Sequence, residues 1–266
     1  MATYTGIEHL SVALHGHVLS VTLNRPESLN SLTEEMCATL ADVLEQAAVD
    51  PQVRVVRLGG AGRGFSSGAG ISAEDQAAQK NSPKIDGLLA EANRAVRAIT
   101  LLPKPVVAVV AGPAAGVGVS LALACDVVLA SEKAFFLLAF TKIGLMPDGG
   151  ASALVAAAIG RIRAMRMALL AERIPAEEAF RYGLVSAVYP ADELQSAAAE
   201  VIERLAAGPA VALRKTKEAI NAATLTELDA AIDREVTGQL ALLKAHDFKE
   251  GTRAFQQRRL PNFTDE

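Results

Sequence analysis

Two glycine-dense stretches, each directly after an apolar run, are the first places in this sequence where chemistry could sit. VRVVRL at 53–58 leads into GGAGRGFSSGAG at 59–70, and PVVAVV at 105–110 leads into AGPAAGVG at 111–118. Glycine at the end of a strand lets the backbone approach a ligand closely and aim its N–H groups at it. Three chemistries compete for such loops, beside simple turn formation. Gly64-Phe65-Ser66-Ser67-Gly68 fits the G-x-S-x-G of a nucleophile elbow, with His246 downstream as a base. An elbow needs a helix straight after its serine, however, and here Gly68-Ala69-Gly70 follows. Gly116-Val117-Gly118 resembles the start of a dinucleotide loop, but Leu121 stands where the third glycine of G-x-G-x-x-G belongs. The third chemistry uses both loops at once. If their strands are neighbours in one sheet, N–H groups from both loops converge on one oxygen, one of them at the start of a helix near Val117. There the helix dipole adds positive potential. Two donors on one carbonyl oxygen form an oxyanion hole, each worth about 3 kcal/mol in the transition state, which suits reactions through an enolate.

The elements that must carry these loops can be read from spacing. Ile7–Leu14 and Val18–Asn24 read as strands around a turn at His15-Gly16-His17. Ser31 with Glu34 has the form of a capping box, followed by Met36, Leu40, Val43, Leu44 and Ala47 at helical spacing. Strands at Val53–Leu58, Val106–Val110 and Asp126–Ser131 alternate with helices at about Ile85–Leu101 and Val117–Ala124, the pattern of a mainly parallel sheet. Beyond Pro147 the spacing turns helical: Ala151–Ile159, Arg161–Ala171, Ala176–Arg181, Asp192–Ala207, Pro209–Ala222 and Leu225–Ala245, with one strand at Leu184–Tyr189. The expectation is an α/β core over 1–195, followed by a helical region over 196–266 that packs on the core and on neighbouring subunits.

Composition narrows the function classes. The 266 residues are 51% hydrophobic and 21% charged, which excludes a disordered chain. Twenty-six Lys and Arg against 30 Asp and Glu leave no basic surplus for nucleic acid. Cys37 and Cys125 match no metal or redox spacing, and His15 with His17 lacks a third ligand, so neither a metal nor a disulfide framework is expected. The uncharged run of 21 residues at 105–125 is long enough to span a bilayer. Glycines at 112, 116 and 118 and Pro113 interrupt it, and a buried strand, turn and helix account for it better. No secretion signal is visible in MATYTGIEHL, so a cytoplasmic location is expected.

Six stretches in order then carry a resemblance over nearly the whole length: LNRPESLNSLT at 23–33, GRGFSSGAGI at 62–71, KPVVAVVAGPAAGVGVSLALACDVVLAS at 104–131, IGLMPDGGAS at 143–152, PAEEAFRYGLVSAVYP at 175–190 and DFKEGTRAFQQRRLPNF at 247–263. The chain resembles the crotonase superfamily, the enoyl-CoA hydratase/isomerase family. That resemblance implies an α/β crotonase (ClpP/crotonase-like) fold, a ββα-type spiral core with a helical C-terminal trimerisation region. It also implies a homotrimer or hexamer and an acyl-CoA substrate, with coenzyme A belonging to the substrate and no separate cofactor. By motif position the paired N–H donors fall on Ala69 and Val117. Ser67, Gly68, Gly70, Ile71 and Gly116 would line the substrate path, and Arg25, Lys249, Arg258 and Arg259 are candidates for the CoA phosphates. Position 70, commonly aspartate in the family, is glycine here, and position 117, commonly glycine, is valine.

Two departures bear on the reaction. The family's hydratases use two glutamates to deliver water, and the matching positions here hold Ser120 and Phe140, neither of which can be a base for water. One carboxylate remains in a matching neighbourhood, Asp148 in GLMPDGG, where isomerase-like members carry their acid. A single carboxylate suffices to move a proton from one carbon to another. Asp148 is equally well placed to cap a helix starting near Gly149. The acids of SAEDQAAQK read as a solvated segment, and Phe65, Phe136, Phe140 and Met146 read as pocket walls or core. The expectation is double-bond isomerisation in fatty-acid or related acyl-CoA metabolism. The alternatives are a non-catalytic acyl-CoA binding protein, or a hydratase using an acid outside the recognised positions.

Overall fold

The strand that opens the molecule, β1 (Leu10–His15), turns back at Gly16 and pairs antiparallel with β2 (Val18–Leu23). In the computed structural model, which describes residues 3–72, 75 and 86–265, the chain then adds strands in parallel. β3 (Val55–Gly60), β4 (Val106–Val110), β6 (Val127–Ser131) and β9 (Ala187–Tyr189) complete a six-stranded sheet in the order β1-β2-β3-β4-β6-β9. A second sheet of three short strands joins β5 (Ala114–Ala115), β7 (Phe135–Leu137) and β8 (Ile174–Pro175). The β7 and β8 strands are too short to show an apolar alternation, so neither was legible from spacing.

Helices cover both faces of the large sheet, and the strands alternate to feed both. On one face α1 (Glu34–Val49) and α2 (Gly87–Leu101) pack over Val56, Leu58, Val106 and Ala108. On the other, α7 (Leu194–Ala207) sets Leu194, Ala198 and Ile202 against Val55, Val107, Val109 and Leu129. Both faces of β4 are therefore sealed, which is why PVVAVV reads as an unbroken apolar run. The next helix, α3 (Val117–Ala124), is apolar all round and is buried from Val117 to Ala122. The uncharged run is thus strand, turn and core helix. No helix among the described residues is long and apolar enough to cross a membrane.

The helical part follows the expected spacing with α4 (Ala151–Ile159), α5 (Arg161–Leu170), α6 (Ala176–Tyr182), α8 (Ala210–Thr224), α9 (Leu228–Leu242) and α10 (His246–Gln256). The expected single helix Leu225–Ala245 is shorter, and α10 is a separate element after it. The capping box is also corrected. Thr33 is the N-cap of α1, its hydroxyl accepting from the Met36 N–H at 3.2 Å. Ser31 instead bonds Arg25 and Ser28, because the chain turns once more through left-handed Leu29 and Asn30 before the helix begins.

Candidate active site

Because β3 and β4 are adjacent and parallel, their C-terminal loops meet. Ser66 bridges to Ala114, and the Ala115 N–H donates to the Ser66 carbonyl at 2.8 Å. Contact is close enough to require two glycines. Gly68 (φ +86°) and Gly116 (φ +54°) both lie in the left-handed region, and a Cβ on Gly68 would sit 2.8 Å from the Ala115 carbonyl oxygen. Each glycine immediately precedes one of the expected donors. The N–H groups of Ala69 and Val117 make no hydrogen bond within the described structure. Val117 is the first residue of α3, where an amide has no intrahelical partner and the dipole favours negative charge.

Ala69 and Val117 both line a mainly apolar cavity of about 350 Å³, an ordinary size for a small-molecule site. Ser67, Ala69, Gly70, Ile71, Gly116, Val117, Phe140 and Asp148 line it, as the sequence led us to expect. Gly68 lies behind the wall and does not line it. Phe65 and Phe136 are fully buried core residues away from the cavity, and Met146 packs on Gly238. Of the cationic candidates, none lines the cavity. Arg25 is held inside the protein, its guanidinium donating to the Ser31 hydroxyl at 2.8 Å and to Asp75 at 3.1 Å. Lys249 and Arg258 are exposed, and Arg259 is paired with Glu250.

Asp75 itself departs from the solvated reading of its segment, most of which lies outside the described residues. Its side chain is only 10% exposed and lies where a side chain on Gly70 would have been, 2.3 Å from the position of that Cβ. Glu74 lies outside the described residues.

Asp148 does not cap α4. That helix has Gly150 as its N-cap and so no side-chain cap of its own. Its first amides are taken by Glu235 on α9, which accepts from the N–H groups of Gly150 (2.7 Å) and Ser152 (2.9 Å) and from the Ser152 hydroxyl. Asp148 is thereby left to the cavity. Gln239, one turn further along α9, donates to its Oδ2 at 2.7 Å, and no described group bonds Oδ1. Enclosure by protein pushes this carboxyl up to about 7, against the Gln239 hydrogen bond that favours the ionised form; the nearby Glu235 charge adds to the rise. A carboxylate that exchanges a proton near neutrality is what a general base needs.

Ser120 is fully buried and donates its hydroxyl hydrogen to the Asp148 carbonyl. Phe140 forms apolar wall. Lys142 also lines the cavity, and the sequence reading missed it along with two polar residues carried on long helices: Glu34, on the first turn of α1, and Gln239. Neither position carries a local signal, because each reaches the site only through helix packing. Ser66 is no nucleophile for His246: its hydroxyl is buried and donates to the Asn30 carbonyl at 2.8 Å. His246 and Asp247 open α10 and lie beside Asp265 of the tail, the one group of potential metal ligands among the described residues. Asp247 there accepts from the Thr264 and Asp265 amides and serves as a clasp for the tail.

Comparison with known proteins identifies the family and the fold. A family model described as enoyl-CoA hydratase/isomerase matches residues 14–266. The chain is 40% identical over 250 residues to the 1,2-epoxyphenylacetyl-CoA isomerase of Escherichia coli (strain K12), covering 93% of this chain and 95% of that one. A crystal structure of an enoyl-CoA hydratase from Mycobacterium avium subsp. paratuberculosis K-10 is 66% identical with a TM-score of 0.91, covering 98% of this chain and 100% of that one. The enoyl-CoA hydratase/isomerase from Pseudoalteromonas atlantica T6c is 34% identical with a TM-score of 0.87, covering 96% and 100%. The names of these relatives include both a hydratase and an isomerase.

Proposed function

This chain belongs to the enoyl-CoA hydratase/isomerase family, and on that premise we propose that it moves a double bond along the acyl chain of a CoA thioester. The observation that carries this reading is Asp148: a carboxylate enclosed in the cavity that Ala69 and Val117 line, and poised near neutrality. The thioester oxygen of a 3-enoyl-CoA accepts from the Ala69 and Val117 N–H groups. Ionised Asp148 takes a proton from C2, and the electron pair of that C–H bond moves into the C1–C2 bond while charge builds on the thioester oxygen. As the dienolate collapses the carbonyl re-forms, the C1–C2 pair moves into C2–C3, and the former C3–C4 double-bond pair takes the proton from Asp148 onto C4. The product is a 2-enoyl-CoA, and Asp148 ends ionised as it began. No electron is gained or lost overall, so the reaction calls for no cofactor beyond the CoA in the substrate.

The two donors act where charge develops, and removing one typically costs about 10²- to 10³-fold in rate. Apolar walls exclude water and strengthen those contacts. The test is turnover of a panel of acyl-CoA thioesters, beginning with a 3-enoyl-CoA followed by its conversion to the 2-enoyl product. Binding without turnover would favour the non-catalytic alternative.

Hydration is the second reading, favoured by one observation, the presence of Glu34 in the same cavity. Hydration that disappears in Glu34→Gln would establish it. Trimer or hexamer assembly is also part of the proposal, supported by the exposed row Ile162, Met165 and Leu169 on α5.

A further inference from the structure

Helix α9 carries two polar side chains that the proposed reaction does not use directly and that are almost wholly buried: Glu235 at 1% and Gln239 at 2% exposure. Polar groups are retained in such places only when their hydrogen bonds are made, and here every one of them goes to a single segment, 146–152. Gln239 Oε1 accepts from the Met146 N–H at 3.3 Å. Its Nε2 donates to the Met146 carbonyl at 3.0 Å and to Asp148 Oδ2 at 2.7 Å. Glu235, four residues earlier and so on the same face of the helix, accepts from Gly150 and Ser152 on the far side of Asp148. The two side chains grip the loop at both ends of the acid.

We infer that α9 is the positioning element of the active site, with Gln239 and Glu235 acting as a two-point clamp that fixes the Asp148 carboxylate with Oδ2 held and Oδ1 left for the substrate. The inference rests on Asp148 being the base. Both N–H bonds of Gln239 are taken, by Met146 and Asp148, and its carbonyl oxygen accepts from the Met146 N–H, so the carboxamide cannot rotate without breaking the set. The clamp also has an electrostatic consequence with opposite signs at its two points. Gln239 donates to the ionised carboxyl and favours it, whereas the Glu235 charge opposes it. The other groups facing Asp148 are the Ser120 hydroxyl from α3, the buried Cys37 thiol from α1, itself pushed up to about 12 and neutral, and, lining the same cavity, Glu34 and Lys142.

The experiment compares full-length wild type, Gln239→Met, Glu235→Gln and Asp148→Asn by the pH profile of kcat for a 3-enoyl-CoA, with thermal melts alongside. Asp148 must be ionised to act, so kcat falls as pH drops through its apparent pKa. Gln239→Met should move that limb upward by about one pH unit, and Glu235→Gln should move it downward by a similar amount. In Gln239→Met kcat on the plateau should also fall about tenfold or more, with KM little changed, because a base free to rotate spends less time aligned. Gln239→Glu, which keeps the shape but loses the donor, should move the limb upward as well and serves if Gln239→Met melts too low to assay. A purely structural role predicts lower melting temperatures with the limb unmoved, and that outcome overturns the clamp while Asp148→Asn is inactive. An active Asp148→Asn would instead show that the base itself has been misassigned, and the clamp would fall with it.

Discussion

Ser120 Oγ donates across 2.9 Å to the carbonyl oxygen of Asp148, tying the helix that presents the Val117 amide to the loop that presents the acid. The contact fills the space tightly, since a Cβ on the intervening Gly149 would lie 3.0 Å from the Ser120 side chain. A glutamate at 120 would have to enter this closed position as a buried charge without a partner.

Hydration of crotonyl-CoA should therefore be slow. With Ser120 and Phe140 at the two positions, several orders of magnitude are lost relative to a competent hydratase, because acid and base assistance contribute roughly 10²- to 10⁴-fold each. A spectrophotometric assay of crotonyl-CoA loss reads this directly. Rapid hydration would contradict the isomerase reading and direct attention to Glu34.

Val117→Pro isolates one donor of the oxyanion pair. Proline is tolerated at the first position of a helix, where its missing N–H serves no intrahelical bond. In this protein Val117 lines the cavity and its N–H makes no hydrogen bond within the described structure. Turnover of a 3-enoyl-CoA should fall about 10²- to 10³-fold while the melting temperature changes modestly. Retention of full activity would show that Val117 does not hold the thioester oxygen.

Asp148→Asn should lower isomerisation by about 10² or more and leave acyl-CoA affinity within a few-fold, since binding draws on the amides and the apolar walls. Its effect on stability has the opposite sign. The folded carboxyl holds its proton up to about pH 7, whereas the unfolded chain releases it near the ordinary aspartate value. Wild-type stability is thus fully present below that ordinary value and declines as pH rises through the window, by at most about 1.4 kcal/mol per pH unit. Some exposure to the cavity keeps the loss below that limit. The neutral carboxamide introduced by Asp148→Asn carries no such penalty, so the variant should melt above wild type at pH 8 and converge with it only near the ordinary aspartate value, about pH 4. Melts that stay parallel across pH would refute the raised value.

The exposed row Ile162 (77%), Met165 (42%) and Leu169 (61%) on α5 should be covered in solution by another subunit. Light scattering at micromolar concentration should give a trimer or hexamer mass, and Ile162→Glu with Leu169→Glu should shift it toward the monomer. A monomeric wild type would contradict this assembly.

Local pattern was enough to place the paired loops. The runs before them are strands because both faces of β4 are sealed, and the glycines after them are needed where Gly68 and Gly116 approach each other. These constraints act within a few residues, so the loops and the boundaries of α3 and α4 could be read from spacing, and the resemblance then put the donors on Ala69 and Val117. Asp148 could be named in the same way, but its role could not be separated from helix capping. That separation depends on Glu235, which reaches Gly150 across 85 residues of sequence and takes the amides an aspartate at 148 would otherwise have satisfied. Gln239 and Glu34 likewise become part of the cavity only because α9 and α1 pack beside it. Hydrophobic spacing determines which face of a helix is buried. Which buried polar group meets which loop is decided by the crossing of distant helices, and that appears only in the folded chain.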